Sequence, residues 1–359
     1  MRMNASVCAG VVAAVLGVVA ASPAQQPKVT NAQVSVRSGN LQQEIGAAKT
    51  AEWIGYSIPL QHALRTSWDD SVAYLEGDGR HQETVLEPKP GDPIPRANVL
   101  LRVSNGAIEK VRIEEVDRAI DGGAMPFVWL TDVRPADSVR VIAAAIDAAS
   151  AAQAAGPESK SRMPLDSGMA VIALEDAPEA MSALHGFTAA KYPLSLREKA
   201  AFWLANERGR EGFDIVSELA KNDKDDAFRE KLTFDLTLVK GDQKKAATDV
   251  LLGLAKSDPA PKVRKQAQFW LAQEVAKKLG GDPRIARALG DSANNDPDAA
   301  IRKSAVFALS RLPADQAVPQ LIQVASTTKD VTTRREAIFW LGQSKDPKAL
   351  EYLEKVVKE

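Results

Sequence analysis

The sequence has a single cysteine, Cys8, in an apolar run near its start, so it can form no internal disulfide and no paired-cysteine metal site. Histidine is almost as scarce: His62, His81 and His185 stand in no ligand spacing, and no His-Glu-x-x-His motif or calcium-loop carboxylate ladder is present. Gly-x-Ser-x-Gly is absent, and so is a glycine-rich loop followed by Lys-Ser/Thr. Net charge is missing too, with 46 basic against 47 acidic residues, which removes the electrostatic footprint expected of a nucleic-acid or acidic-membrane binder. These absences leave no catalytic residue, metal or cofactor to expect. Asp69 and Asp70, beside Trp68, are the one pair that resembles a glycosidase acid couple. Adjacent side chains usually point apart, so solvated loop charge is the preferred reading.

At 45% apolar residues the chain can bury a core without staples. Met1-Arg2, the 15-residue run Val7 to Ala21 and Ser22-Pro23-Ala24 have the layout of a signal peptide. The run is short for a bilayer crossing, and cleavage is expected after Ala24, with an uncleaved anchor as the alternative. The mature chain would carry 45 basic and 47 acidic residues, no cysteine and no transmembrane segment, and would be periplasmic or secreted.

What the sequence does contain is repetition. Phe202, Phe234, Phe269, Phe307 and Phe339 are each followed two residues later by Leu204, Leu236, Leu271, Leu309 and Leu341. Five residues before each phenylalanine stands Arg197, Arg229, Arg264, Arg302 or Arg334. Two before it stand Ala200, Leu232, Ala267, Ala305 and Ala337, and the anchors are 32, 35, 38 and 32 residues apart. Each unit has two helical halves, for example Ala246 to Ala255 and Val263 to Val275. Phe-Trp-Leu at 202, 269 and 339 puts apolar residues at consecutive positions around a helix, which predicts burial on several sides. The phenylalanine and leucine columns, with Trp203, Trp270 and Trp340, are accordingly expected in the repeat core.

Asp223, Asp258 and Asp296 each precede the unit's arginine by six residues; Thr328 takes that place before Arg334, and Lys191 before Arg197. This pattern resembles HEAT repeats, in the short form found in bacteria. The resemblance implies a C-terminal α-solenoid of helical hairpins whose concave surface binds a protein or peptide client. The constant Asp–Arg spacing predicts a structural ladder across repeats; an acidic-peptide clamp is the alternative. Asp258-Pro259, Asp282-Pro283, Asp296-Pro297 and Asp346-Pro347 are read as N-caps followed by a first-turn proline. The last helix, from Pro347 to about Lys358, is read as a polar end-cap.

Upstream, Val99–Val103 and Ile108–Val116 flank Asn105-Gly106, which predicts a β-hairpin. Phe127 to Leu130 and Trp53 to Leu60 are further expected strands, Asp137 to Ala154 an alanine-rich helix, and Gly77 to Pro95 a loop. The sequence therefore divides into a signal peptide at 1–24, a small α+β module at 25–150, a linker at 151–164 and a HEAT-like array at 165–359. A mostly α protein with a non-enzymatic scaffolding role follows, of open oligomeric state and unidentified client. The alternatives are a cofactor-attachment lyase like the bilin-lyase HEAT-like proteins, and a glycan-binding or hydrolysing N-terminal module with the repeats as an accessory arm.

Overall fold

The computed structural model describes residues 26–66, 72–76, 83–86, 94–155, 163–275 and 282–358. The proposed leader, Asp69, Asp70 and His81 lie outside them. An N-terminal sheet region leads into helices that run to the C-terminal end. The strands are β1 Val29–Thr30, β2 Gln33–Arg37, β3 Glu52–Pro59, β4 Ala63–Thr66, β5 Val72–Tyr74, β6 Glu83–Leu86, β7 Arg96–Ser104, β8 Ala107–Glu115, β9 Ala119–Asp121 and β10 Pro126–Leu130. The expected loop from Gly77 to Pro95 thus contains β6, which pairs antiparallel with β4. Turn residues dominated that reading and hid four strand residues between them.

The main sheet has the order β2-β10-β3-β7-β8, with β10 parallel to both neighbours and β3-β7-β8 antiparallel. Asn105 (φ 50°) and Gly106 (φ 74°) take the two left-handed positions of the β7–β8 turn. Strand alternation sorts the sheet's two faces. Trp53, Leu100, Phe127 and Trp129 point to one side and pack with Leu75 and Ile120. Gly55 is required there, because a Cβ would lie 2.9 Å from both the Phe127 and Trp129 rings. Ile54, Tyr56, Ile58, Val99 and Leu101 point to the other side and join the large core formed with the helices.

The helices begin with α1 Leu41–Ala47, α2 Pro135–Ala155 and α3 Met163–Leu174. Helix α3 packs on α2, β8 and the array, and Met169 to Leu174 are buried without a polar face, so one hydrophobic core runs from sheet to solenoid. The array follows as hairpins of α4 Pro178–Phe187 with α5 Leu194–Glu207, α6 Gly209–Asn222 with α7 Asp226–Leu238, and α8 Gln243–Ser257 with α9 Pro261–Trp270. Helix α9 continues into a π-helical turn, Leu271–Val275. Then come α10 Pro283–Asn295 with α11 Ala299–Ser310, α12 Ala314–Thr327 with α13 Val331–Gln343, and α14 Pro347–Lys358. The last helix is less polar than expected: Leu350 and Val357 are exposed, and only Ala349 of that helix is buried. Among the described residues no helix is long and apolar enough to cross a membrane.

Polar groups are trapped where sheet and array meet. Leu60 bridges to Glu175, and the Gln61 N–H donates to the Leu174 carbonyl at 2.9 Å. Arg208 donates to the carbonyls of Ile172 (2.5 Å) and Glu175 (3.0 Å), satisfying the exposed end of α3. Burial lowers the Arg208 pKa to about 10. Burial pushes the Glu175 carboxyl up to about 8, against smaller opposing effects of the Ser138 hydroxyl and Arg208. Ser138 in turn shares a 2.9 Å hydrogen bond with Tyr56. Nearby, burial raises Glu207, while Lys240 at 3.5 Å and His62 at 3.8 Å favour its charged form.

The folded protein therefore keeps a proton on Glu175 between pH 4.5 and about 8, where the unfolded chain has released it. The associated stability is fully present below that window and is lost as pH rises through it. Urea titrations at pH 5.5 and 8.5 should show Glu175→Gln flattening this loss, by at most about 4 kcal/mol. An unchanged pH slope in the variant would show that Glu175 is ionised in the fold.

Candidate interaction surface

The second helices of the hairpins, α5, α7, α9, α11 and α13, pack side by side, and an arginine near the start of each of the first four reaches the next unit. Arg229 donates through two nitrogens to Asp258 (both 2.9 Å), and Arg264 does the same to Asp296 (2.8 and 2.9 Å). Arg197 reaches Asp223 at 2.5 Å and Asp225 at 3.2 Å. Each arginine also donates to a carbonyl at its own hairpin corner: Arg229 to Asp223 (2.7 Å), Arg264 to Asp258 (2.9 Å), Arg302 to Asp296 (2.8 Å). Arg197, Arg229 and Arg264 are buried, and their hydrogen bonds to aspartate raise the pKa of Arg229 and Arg264.

The ladder weakens where the sequence loses the aspartate. Thr328 occupies the Asp position opposite Arg302, which reaches only Asp330, at 3.6 Å. Arg334 is exposed and donates to the Thr328 carbonyl at 2.6 Å.

The ladder aspartates also overturn two expected caps. Asp258 and Asp296 are the C-caps of α8 and α10, and each accepts the N–H two residues on, from Ala260 (2.8 Å) and Asp298 (2.9 Å). The following helices start later, at Pro261 and Ala299. An aspartate already holding the neighbouring arginine closes the turn while another residue starts the helix. Asp282 and Asp346, free of that duty, accept from Arg284 and Lys348 (both 2.9 Å) as N-caps.

With the register set this way, the two apolar columns part company. Leu204, Leu236, Leu271, Leu309 and Leu341 are at most 1% exposed, as are Ala200, Leu232, Ala267, Ala305 and Ala337. The phenylalanines expected beside them in the core are instead at the surface. Phe234, Phe269, Phe307 and Phe339 are 37, 40, 42 and 54% exposed, and Phe202 is half-buried. Two residues are about 200° apart on an α-helix, so a phenylalanine and its leucine must face nearly opposite ways. The tryptophans one residue on are half-buried and brace the row. Trp270 packs on Phe234 of the preceding unit (5.0 Å between ring centres) and on Phe269 (4.9 Å). Trp340 likewise packs on Phe307 (5.7 Å) and Phe339 (5.1 Å).

The column after phenylalanine reads Trp203, Asp235, Trp270, Ala308, Trp340. Where aspartate replaces the indole, a cavity of about 510 Å³ opens between α5, α7 and α9. Phe202, Phe234 and Trp270 supply its aromatic walls; Glu198, Lys199, Glu230, Lys231 and Gln266 complete it around Asp235. Burial raises the Asp235 carboxyl well above the usual range, Glu198 adds to this, and Lys231 opposes it. Sequence reasoning passed over Asp235, although its signal was a break in the tryptophan column. Among the described residues no cluster of histidine and carboxylates could hold a metal ion, and His185 is exposed on α4.

Removing one member of a buried bidentate pair leaves the other charge without a partner. Arg264→Ala should cost about 3–5 kcal/mol in urea denaturation, and Arg334→Ala under about 1 kcal/mol. Equal costs would mean that the ladder does not hold the units together.

Residues 286–359 match the family model of HEAT repeats. No curated protein matches the chain. Among solved structures, YibA of Escherichia coli is 20% identical over 51% of this chain and 65% of its own, with a TM-score of 0.35. The match thus spans just under two thirds of YibA. Human deoxyhypusine hydroxylase in complex with glycerol is 16% identical over 60% of this chain and 90% of its own, with a TM-score of 0.29. The Schizosaccharomyces pombe condensin Cnd3-Cnd2 subcomplex is 13% identical over 58% of this chain and 33% of its own, with a TM-score of 0.29. The C-terminal helices form a helical repeat array that matches HEAT repeats over 286–359 and carries the same residue columns from Arg197 onward.

Proposed function

We propose that the protein is an exported, non-enzymatic scaffold that binds a segment of a client protein along the face of its second helices. One observation carries this reading: phenylalanines at the same register of successive units are 37 to 54% exposed, while the leucines two residues later are buried. Large apolar side chains repeated along one face are characteristic of interaction surfaces, and aromatic rings are frequent anchors of binding energy. Neighbouring helices stand about 8–10 Å apart, so an extended client segment would meet a new ring about every third residue. The units are held in register by buried ion pairs, so the rings are presented without an ordering cost to the scaffold. Export is supported by the leader-like N-terminus, and a cysteine-free mature chain suits an oxidising compartment.

Photo-crosslinking residues introduced in cells at Phe269 and Phe307, with a control at Lys256 on a first helix, test the surface. Adducts to another protein at the two phenylalanine positions and none at Lys256 are expected, as is their loss in Phe234→Ser/Phe339→Ser protein. Equal labelling at Lys256 overturns the reading; adducts only to a second copy would make the face a self-association surface.

A further inference from the structure

We infer that the cavity between α5, α7 and α9 is a subsite for a basic side chain, with Asp235 as its counter-charge and Phe202, Phe234 and Trp270 as its aromatic walls. The inference deepens the scaffold reading, on which it rests for the source of the side chain, namely a lysine or arginine of the client. The chemistry of the subsite is independent of that source.

The argument starts from Asp235. It is 4% exposed and lines the cavity, yet no hydrogen bond or ion pair from a described residue reaches its carboxylate. Buried carboxylates are ordinarily paired, as Asp258 and Asp296 are in the same array. Asp235 instead occupies the column position that holds tryptophan in three other units. An aspartate there gives up the packing of an indole without gaining a partner among the described residues, so repeat packing does not account for it.

The walls narrow the class of ligand. Phe202, Phe234 and Trp270 line the cavity, the last two with ring centres 5.0 Å apart at 46°, so aromatic surface borders the space between α5, α7 and α9. Ring faces attract cations, and the attraction grows when water is excluded. Glu198 and Glu230 stand at the cavity with Asp235, so the carboxylates outnumber Lys199 and Lys231. An anionic ligand would meet three carboxylates. A neutral apolar one would leave Asp235 as it is, desolvated and unpaired among the described residues. A cation supplies what is missing: its charge compensates the carboxylate, which gives up its proton to solvent as the pair forms.

The test uses the full mature chain with ¹⁵N-labelled indoles, the Trp270 signal being assigned from Trp270→Phe. The probes are the Nα-acetyl methylamides of lysine and arginine, with that of norleucine as the uncharged counterpart. A saturable shift of the Trp270 signal is expected with lysine, arginine or both, at roughly millimolar affinity, the range one such contact supports. Norleucine should bind at least about tenfold more weakly, and Asp235→Asn should lose about tenfold in affinity for the cation. Glu230→Gln, a change at a half-buried carboxylate of the same cavity, should lose a smaller factor, which keeps the test decisive should the Asp235 variant lose its dispersed indole spectrum. Equal binding of norleucine, or a Trp270 signal unmoved by either cation, overturns the inference. If the probes fail while crosslinks at 269 and 307 persist, the subsite falls and the client-binding face stands. If the probes bind and the crosslinks are absent, the reverse holds.

Discussion

The buried arginine–aspartate pair is the contact on which the array's geometry turns. A guanidinium that donates to the next unit's carboxylate and to its own corner carbonyl fixes distance and rotation together, because both acceptors must lie in the plane of one rigid fork. Replacing such pairs with apolar residues can raise stability in other proteins, so their service here is register rather than net free energy. Rotation of each second helix decides which column faces inward. With Arg264 held by Asp296, Leu271 falls into the core at 0% exposure and Phe269 outside it at 40%. The same leucine-in, phenylalanine-out rotation holds at Phe307 and Phe339, where the pair is weak or missing, so the ladder reinforces an orientation that the apolar columns set.

The other end of the solenoid is fixed differently. Helix α3 is apolar on every side from Met169 to Leu174 because it lies between the sheet and the first hairpin. Its exposed carbonyls are capped by Arg208, which comes from the α5–α6 corner of the array and reaches into the sheet side. Glu175, Glu207 and Arg208 are held there against desolvation. Arg208 ties the α5–α6 corner to α3 through the Ile172 and Glu175 carbonyls, and Glu207 reaches His62 and Lys240.

Much of this was written in the sequence as spacing. The arginine and aspartate columns gave the ladder's members because a repeated contact needs the same residue at the same place in every unit. The Asn105-Gly106 hairpin was legible because its turn demands two left-handed residues. Strands β1, β5 and β9 were not, since two or three residues are too few for alternation to show, and they exist only by pairing with one another. The phenylalanines were misplaced for a specific reason. A column of identical apolar residues looks the same whether it faces a core or a client, and only the angle to the leucine column separates the two.

That ambiguity also says where to look for function in such an array. Residues that build the repeat recur, so under the proposed scaffold reading they would not by themselves distinguish one client from another. Specificity has to come from positions where the pattern is broken and the break carries a cost. Thr328 breaks the aspartate column and weakens an ion pair at a hairpin corner. Ala308 breaks the tryptophan column and is buried at 3% exposure. Asp235 breaks the same column, is buried at 4%, and lines a cavity with a carboxylate that no described residue pairs. Of these departures Asp235 is the one that lines the cavity, and the inferred subsite would give an otherwise aromatic row a direction.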